Sequence, residues 1–370
     1  MASRASRFVV RIRRTERYPV EIGEGLLERV GEALRNGLAV SRVAVLTDSR
    51  VEALHARPLL RSLARAGLDA RVVAVPPGER SKSLPTLERV LARMHRLGVD
   101  RRTTLLCLGG GVICDLGGFA ASAYMRGVPY VNLPTTLVAQ LDAALGGKVA
   151  VNTPEAKNLI GAFHQPRAVL IDPSLLRTLP PRDLRAGFGE GIKVAILGSR
   201  PLFERIEGDR EALLGRDADA LAWTIGEAAR VKMRLVEADP YEADLRRALN
   251  LGHAIAHALE TDRHYRGIRH GEAVAFGIAT TTELARRRGL VAAADAERIL
   301  SLLEAYRLPT HLARLEVPSL LRRLRSIRMV RGGRLLFVVP AGIGRVTILE
   351  DVKDAELGSA LAARRGRGRR

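Results

Sequence analysis

The sequence predicts an α/β N-terminal domain built on a doubly wound, Rossmann-like parallel sheet, followed by a mostly α-helical C-terminal domain. Between residues 7 and 180, short apolar runs ending at glycine, proline or aspartate alternate with amphipathic segments, as expected when strands alternate with helices. After Asp183 the pattern changes to long segments rich in Ala, Leu and Arg. We place the domain boundary at residue 180, since two successive prolines end the first pattern there.

The first domain owes its predicted elements to hydrophobic periodicity. Short apolar runs predict strands at residues 43–46, 70–75 and 104–108. Apolar residues at three-to-four spacing predict helices at 50–66 and 84–97. The second domain, residues 181–363, is predicted to be helical apart from two late β-prone runs, 334–339 and 345–349.

The chain of 370 residues carries a formal net charge of +20, a value that can indicate a polyanionic partner. We nevertheless expect no nucleic acid partner, because aromatic residues make up only 4% of the chain and no zinc-finger or helix-turn-helix signature is present. The arginine-rich segment 364–370 is predicted to be a disordered basic tail.

The cysteine content and the apolar runs bear on the compartment. Cys107 and Cys114 are seven residues apart, so neither a disulfide framework nor a CxxC site is available, and a reducing cytoplasm fits best. Arginines interrupt the N-terminal residues, and no run approaches 18 apolar residues. We therefore expect neither secretion nor a membrane partner.

A glycine-rich turn follows the third predicted strand. Gly109, Gly110 and Gly111 lie between that strand and an apolar segment containing Asp115. Glycines in such a turn allow the backbone to approach phosphate, which the N–H groups of a helix N-terminus also bind. The turn departs from GxGxxG at Cys114, so phosphate or dinucleotide contact and a tight packing turn both remain open.

Polar residues beside further glycine turns extend this segment. They are typical of an oxyanion or phosphate cradle, with a solvated loop as the alternative; the residues are Arg126, Lys148, Asn152, Lys157 and Asn158. Lysine is informative here, because all but six of the 60 basic residues are arginine. A retained lysine suggests a site that needs a compact ammonium group.

Histidines cluster in the second half of the chain. Asn250, His253 and His257 have i, i+3 and i+7 spacing, which predicts one face of a single helix, with Arg246 one turn earlier on the same face. His270 opens the next segment.

A carboxylate for these histidines is available from Glu190, which shares a helix face with Lys193. One carboxylate and two imidazoles with an open position form the ligand set of a catalytic zinc site. Polar or surface histidines are the alternative. The spacing does not decide which of His253, His257 and His270 bind the metal and which one handles protons.

Taken together, these strings resemble the 3-dehydroquinate synthase family of sugar phosphate cyclases. The resemblance covers nearly the whole chain and rests on the motifs Gly-Gly-Gly-Val-Ile-Cys-Asp at 109–115, Tyr-Met-Arg-Gly-Val-Pro at 124–129, Pro-Thr-Thr at 134–136, Gly-Gly-Lys at 146–148, Lys-Asn-Leu-Ile-Gly-Ala-Phe at 157–163 and Leu-Asn-Leu-Gly-His-x-x-x-His at 249–257.

The resemblance implies an enzyme that converts 3-deoxy-D-arabino-heptulosonate 7-phosphate to 3-dehydroquinate and phosphate, as a cytoplasmic homodimer. The implied steps are transient oxidation by NAD, phosphate elimination, re-reduction and intramolecular aldol closure. The alternatives are a cyclase acting on an amino analogue or on sedoheptulose 7-phosphate, and a metal-dependent polyol dehydrogenase.

It also implies roles for individual residues. The zinc ligands, with cobalt as an alternative metal, are Glu190, His253 and His270, and His257 handles protons next to them. The implied NAD contacts are Asp48, Glu79, Lys82, Gly109, Gly110, Gly111, Asp115, Thr135, Thr136 and Asp142.

The implied substrate contacts divide by chemical group. Lys148 and Asn158 meet the phosphate, and Arg126 reaches the partner subunit. The residues that contact hydroxyls are Lys157, Lys193 and Asn250, and those that hold the carboxylate are Lys232 and Arg246. Lys148, Lys193 and Asn250 thus join His257 as catalytic candidates.

Two departures from the family pattern stand out. Ile327-Arg328-Met329 occupies the place of Asp-Lys-Lys, so Arg328 replaces a phosphate-binding lysine or that lysine is missing. Gly189-Glu190-Gly191 occupies the place of Ala-Glu-Val, which is expected to weaken the helix by about 1 kcal/mol per glycine.

Overall fold

The computed structural model describes residues 15–154, 156–242, 245–330 and 335–366, with the backbone alone at 245–247 and 326–330. The strands are β1 (Val20–Ile22), β2 (Arg42–Asp48), β3 (Ala70–Val75), β4 (Thr103–Gly109), β5 (Tyr130–Pro134), β6 (Lys148–Val151), β7 (Ile160–Phe163), β8 (Ala168–Ile171), β9 (Phe337–Gly342) and β10 (Arg345–Leu349). The α-helices are α1 (Val30–Glu32), α2 (Ser49–Val51), α3 (Arg57–Arg65), α4 (Leu84–Arg96), α5 (Gly111–Ala123), α6 (Pro181–Gly198), α7 (Arg200–Gly208), α8 (Arg210–Gly215), α9 (Ala218–Ala238), α10 (His253–Asp262), α11 (His270–Arg287), α12 (Ala293–Ala305), α13 (Val317–Val330) and α14 (Asp354–Ala363).

Six parallel strands form the main sheet, in the order β1-β8-β5-β4-β2-β3. The chain runs from β2 to β3 on one side and then returns to place β4 on the other side of β2. The direction of winding therefore reverses between β2 and β4, and ligands of open α/β sheets bind outside the carboxyl ends of strands at such a point. The prediction of a doubly wound parallel sheet is confirmed.

Both faces of this sheet are covered by helices, as the apolar runs require. In β2, Ala44 and Leu46 pack in the core formed with α4 and α5, while Val43 and Val45 pack in the core formed with α1 and α3. All seven residues of β4 are buried, which is typical of a central strand. The sheet is thus a rigid platform whose carboxyl edge carries Asp48 and Gly109.

The second half of the described chain is mostly helical, as predicted. Helix α6 begins at Pro181, a position where proline is well suited to the first turn. The late antiparallel pair is β9 and β10, with the first strand at Phe337–Gly342 rather than at 334–339. Residues 331–334 lie outside the described part of the chain, and the domain boundary at 180 stays a prediction.

Helices α6 and α11 cross at glycine residues. A Cβ added to Gly189 would lie 2.2 Å from the Gly271 carbonyl oxygen, and one added to Gly271 would lie 1.7 Å from the Ala186 carbonyl oxygen. Any side chain there would force the two backbones apart. The unusual Gly189 is therefore explained by helix packing, at the point where Glu190 and His270 are the chain neighbours of the two glycines.

The segment 364–370 is predicted to be a disordered basic tail, but its first three residues are ordered. The side chain of Arg364 is 9% exposed and donates to Glu283 on α11, and Gly366 N donates to the Leu312 carbonyl oxygen. Residues 364–366 are therefore packed on the helical half, because a buried carboxylate pairs with Arg364, and 367–370 lie outside the described residues. Cys107 and Cys114 are free cysteines, and both are buried. In the described ranges, no helix is both long and apolar enough to cross a membrane.

Candidate active site

Three helices bring one carboxylate and three imidazoles together. Glu190 of α6 is only 1% exposed; its Oε1 lies 3.4 Å from His253 Nε2 and 3.1 Å from His270 Nε2. His253 and His257, one turn apart on α10, have ring centroids 5.3 Å apart, and His257 stacks on His270 at 5.9 Å. The residues predicted to form a metal site are therefore adjacent.

The prediction that Asn250, His253 and His257 lie on one helix is wrong. Asn250 ends a short 3-10 turn, Leu245–Asn250, and α10 begins only at His253. Between them, Gly252 has φ +76°, and Gly277 of α11 packs against its carbonyl oxygen. This left-handed residue interrupts the helix and redirects the chain, so Asn250 reaches the site from a separate turn.

The two imidazoles that face Glu190 are oriented by hydrogen bonds at their other nitrogens. His253 Nδ1 lies 3.2 Å from the Leu251 carbonyl oxygen, and His270 Nδ1 lies 3.1 Å from both oxygens of Glu260. These acceptors place the proton on Nδ1 and leave Nε2 facing Glu190. Two nitrogen lone pairs and a buried carboxylate then converge, an arrangement that favours a cation between them.

Among the described residues, two groups of three side chains have ligand atoms within 4.8 Å of one another, close enough to share one metal ion. The first group is His253, His257 and His270. The second is Asp142, Glu190 and His253. Neither oxygen of the buried Glu190 carboxylate receives a hydrogen bond of good geometry from the described residues. The donor set thus fits a zinc-type ion, although the choice of ligands stays a prediction.

Neighbouring charges and burial shift the pKa values of the residues in this cluster. Burial alone would raise the pKa of Glu190, but Lys193 and His253 hold that pKa well below its usual range. Burial and Lys157 act to lower the pKa of His270, whereas Glu260 and Glu190 raise it to about 9. The negative field of Glu260 and Glu190, which favours the protonated form of His270, would also attract a metal ion. Burial and His253 lower the pKa of His257 well below its usual range, so its ring is neutral.

Asp142 links two buried lysines to the cluster. Lys193 Nζ lies 2.6 Å from Asp142 Oδ2 and 2.6 Å from Glu190 Oε2. Lys232 donates to the Asp142 side chain and, at 2.5 Å, to its carbonyl oxygen. The charges of the two ammonium groups are balanced by the carboxylates of Asp142 and Glu190, and ammonium donors at the base of the site suit an anionic or polyhydroxylated ligand.

The glycine turn forms the wall next to these lysines, at the carboxyl edge of the sheet. Gly110 precedes α5 without a side-chain cap, and a Cβ on it would lie 2.9 Å from Thr136 Cγ2. A Cβ on Gly111 would lie 3.2 Å from Ala143, the neighbour of Asp142. The uncapped helix N-terminus at the winding reversal has the geometry of a dinucleotide pyrophosphate site. Asp48 ends β2 at the same edge, where it accepts hydrogen bonds from Arg50 N and Val51 N.

A second polar group is formed by the turn between β6 and β7 and by the segment that follows β3. Lys82 pairs with Asp115 and donates to Asn158. Asn152 Nδ2 donates to Glu79 Oε1 at 2.8 Å. Residues predicted to contact the cofactor are therefore interleaved with residues predicted to contact the substrate.

Glu242 occupies the end of the site nearest the predicted phosphate group. It pairs with Lys148, and it accepts a hydrogen bond of 2.7 Å from Asn250 Nδ2. A carboxylate thus meets two of the residues predicted to bind the substrate.

One predicted residue, Arg126, is not brought to this cluster. Arg126 is exposed at the opposite, amino-terminal edge of the sheet, where it lines a cavity with Arg102, Arg167 and His164. The side chains of Arg246 and Arg328 lie outside the described part of the structure.

Sequence reasoning missed Glu260 and Glu242. Glu260 lies three residues after His257, and this i, i+3 spacing could have placed it on the histidine face of α10. No comparable spacing points to Glu242, because this residue lies in a loop rather than on a helix face.

Comparisons with known proteins agree with this geometry. Residues 72–186 match a family model described as 3-dehydroquinate synthase N-terminal, and residues 187–328 match one described as 3-dehydroquinate synthase C-terminal. A 2-epi-valiolone synthase of Actinosynnema mirum is 42% identical over 356 residues, covering 95% of this chain and 93% of that protein. A 3-dehydroquinate synthase of Caulobacter vibrioides is 42% identical over 347 residues, covering 92% and 94%. The solved structure of ValA, a 2-epi-5-epi-valiolone synthase from Streptomyces hygroscopicus subsp. jinggangensis with NAD+ and Zn2+ bound, superposes with a TM-score of 0.90 at 30% identity, covering 96% of this chain and 99% of that one.

Proposed function

The chain belongs to the 3-dehydroquinate synthase family of sugar phosphate cyclases, and we propose that it closes a seven-carbon ketose 7-phosphate into a carbocycle with release of phosphate. The observation that carries this proposal is the convergence of Glu190, His253 and His270 beside the buried Lys193. Such a site suits a substrate that carries both hydroxyl groups and a phosphate.

The proposed cofactors are NAD and Zn2+, with Co2+ as an alternative. The donor set of one carboxylate and imidazole nitrogens suits such an ion, and Glu190, His253 and His270 would hold it. The uncapped start of α5 at Gly110 would hold the NAD pyrophosphate. When bound, these groups would supply hydride acceptance and return, together with polarisation of a substrate oxygen.

Residues of the chain itself would bind and orient the substrate. Lys193 lies between Asp142 and Glu190, where its ammonium group would donate to a substrate hydroxyl. His257 has a neutral ring beside His253 and would accept a proton there. Lys148 would stabilise the negative charge that develops on the departing phosphate, and Asn158 would help to hold that group.

The substrate we place first is 3-deoxy-D-arabino-heptulosonate 7-phosphate, which makes the chain a 3-dehydroquinate synthase of aromatic amino acid biosynthesis. Lys232, 5% exposed, supports this choice together with Arg246, because a carboxylate on the substrate accounts for two such cations.

A second candidate is sedoheptulose 7-phosphate, which carries no carboxylate. The 2-epi-valiolone synthase likeness favours it, as does Ile327-Arg328-Met329 at the place of Asp-Lys-Lys. An amino analogue of the first substrate, which keeps the carboxylate, is a separate alternative.

The deciding experiment measures phosphate release from each ketose 7-phosphate, with catalytic NAD and Zn2+, while absorbance at the NADH band is followed. The heptulosonate is expected to release phosphate without net NADH. Turnover of sedoheptulose 7-phosphate alone would overturn the first substrate, and net NADH would indicate a polyol dehydrogenase.

We further propose a cytoplasmic homodimer in which Arg126 reaches the partner subunit. Its exposed position on the amino-terminal edge, away from its own cluster, supports this arrangement. Sedimentation of the purified protein tests it, and a monomer that retains full turnover would contradict it.

A further inference from the structure

One buried carboxylate beside the cluster has no role in the proposed function. Glu260 lies on α10, and its side chain is 6% exposed. It is three residues beyond His257 on the same helix, and it faces the start of α11. A charge at such depth is retained only where partners compensate its loss of hydration.

Its partners belong to two parts of the molecule that are distant in sequence. Lys157 Nζ donates to Glu260 Oε1 at 2.7 Å, and both carboxylate oxygens lie 3.1 Å from His270 Nδ1. Lys157 lies in the turn between β6 and β7, whereas His270 is the first residue of α11. Glu260 thus connects the turn to the imidazole.

The contact between Glu260 and His270 places a hydrogen on one particular nitrogen of the imidazole ring. A carboxylate accepts hydrogen bonds, so His270 Nδ1 carries a hydrogen toward Glu260, and Nε2, 3.1 Å from Glu190 Oε1, is the nitrogen that would bind a metal ion in place of a proton. Carboxylates that hold a histidine in this way fix the ring and increase its basicity as a metal ligand.

The lysine side has a different consequence. Lys157 Nζ also lies 3.8 Å from Glu79 Oε1 and 3.3 Å from His270 Nδ1. Without Glu260, this ammonium group would lie beside His270, with Glu79 as its remaining counter-ion among the described residues. Glu260 therefore holds Lys157 in the turn and separates its charge from the imidazole.

We propose that Glu260 is a positioning residue that orients His270 for metal binding and at the same time holds the turn around Lys157 against the site. This inference rests on the proposed function, since it takes His270 to be a metal ligand. It predicts that metal binding and the order of residues 156–158 depend on the same carboxylate.

The test uses full-length protein stripped of metal with a chelator. Zn2+ affinity is measured by competition with a chromogenic chelator, and hydrogen exchange of the 156–158 segment is followed by mass spectrometry without metal. We expect Glu260→Gln to bind Zn2+ roughly 10- to 100-fold more weakly and to exchange faster at 156–158. In the Co2+-loaded protein, its visible absorption bands should also shift, a change that loss of stability alone would not produce.

Two further variants separate the effects. Asp262→Asn is the matched control, because Asp262 lies on the same helix but accepts a hydrogen bond from Ser319; it should leave both readouts unchanged. Lys157→Met keeps the contact between Glu260 and His270, so it should loosen the turn while Zn2+ affinity stays within about threefold. If Glu260→Gln does not fold, Glu260→Asp takes its place, since the shorter side chain retains the charge but not the reach.

The possible results are distinguishable. Wild-type protein that binds one Zn2+, with unchanged affinity and exchange in Glu260→Gln, would overturn this inference and leave the proposed function standing. Wild-type protein that binds no Zn2+ would overturn the metal assignment and this inference with it.

Discussion

The two halves of the candidate site hold their polar residues by different means. On the helical side, Glu190 and His270 are the chain neighbours of Gly189 and Gly271, through which α6 and α11 touch with no room for a Cβ. On the sheet side, Lys82 and Lys148 are held by acids from other segments, Asp115 and Glu242 respectively. Backbone contact fixes the first group to fractions of an ångström, whereas ion pairs allow the second to exchange partners. The helical side should therefore respond to added volume, and the sheet side to changes of charge.

The largest expected effect breaks the helix contact. Gly189→Ala places a Cβ 2.2 Å from a backbone carbonyl oxygen, which should cost about 1–3 kcal/mol of unfolding free energy and weaken Zn2+ binding by roughly 100-fold. Chelator competition and urea unfolding measure both quantities.

Gly191→Ala is the matched control on the other side of Glu190. Its Cβ would lie 3.3 Å from Leu141 Cδ1, a flexible side chain, while the higher helix propensity of alanine offsets part of the cost. Equal metal affinity in the two variants would contradict the account of a packing-defined site.

Removal of a cation from the substrate side should have a smaller effect. Arg246→Met is expected to weaken binding of the heptulosonate by at least about 2 kcal/mol, because the substrate carboxylate loses its partner in a desolvated site. Metal binding should not change. Calorimetry with the heptulosonate measures the loss, and unaltered affinity would mean that Arg246 does not bind the carboxylate of this ligand.

A third prediction concerns the far end of α11. Arg286 and Arg287 hold the pKa of Glu283 at about 2, although burial acts in the opposite direction. The ordinary pKa of glutamate is about 4.3 in unfolded chains, so the folded state gains stability above that pH and loses it as the pH falls toward 2.

Urea unfolding of the metal-free protein should therefore show Glu283→Gln less stable than wild type by about 2 kcal/mol at pH 7, with the difference shrinking between pH 5 and pH 2. Glu207→Gln, which removes a half-exposed pair with Arg298, is the control and should cost less than about 1 kcal/mol. A difference that does not vary with pH would rule out the ion-pair explanation.

The smallest effect is expected at Glu242. Glu242→Gln removes the carboxylate that pairs with Lys148, so a substrate phosphate no longer competes with it, and KM should fall by roughly threefold, less than 1 kcal/mol. Glu237→Gln, at an exposed position of α9, should leave KM unchanged. A higher KM in Glu242→Gln would mean that this carboxylate binds the substrate rather than opposing it.

Sequence reasoning succeeded where periodicity or a motif carries the information. The parallel sheet follows from alternating apolar runs, and the motif set located Glu190 and the histidines. It failed at Gly252, because a glycine inside a helical pattern does not reveal a left-handed conformation until the packing of Gly277 against it is known. The role of Gly189 was also hidden, since a close approach between two helices depends on residues 82 positions apart. Glu260 and Glu242 were missed because their partners come from other segments.

The packing of Arg364 has a practical consequence for handling the protein. Because Arg364 pairs with Glu283 and Gly366 bonds to Leu312, a truncation intended to remove the C-terminal arginines should leave Gly366 in place. Cutting at residue 363 would expose a buried acid and remove the hydrogen bond to Leu312, and reduced yield would then be mistaken for a role of the arginines. An affinity tag attached beyond residue 370 leaves these contacts intact.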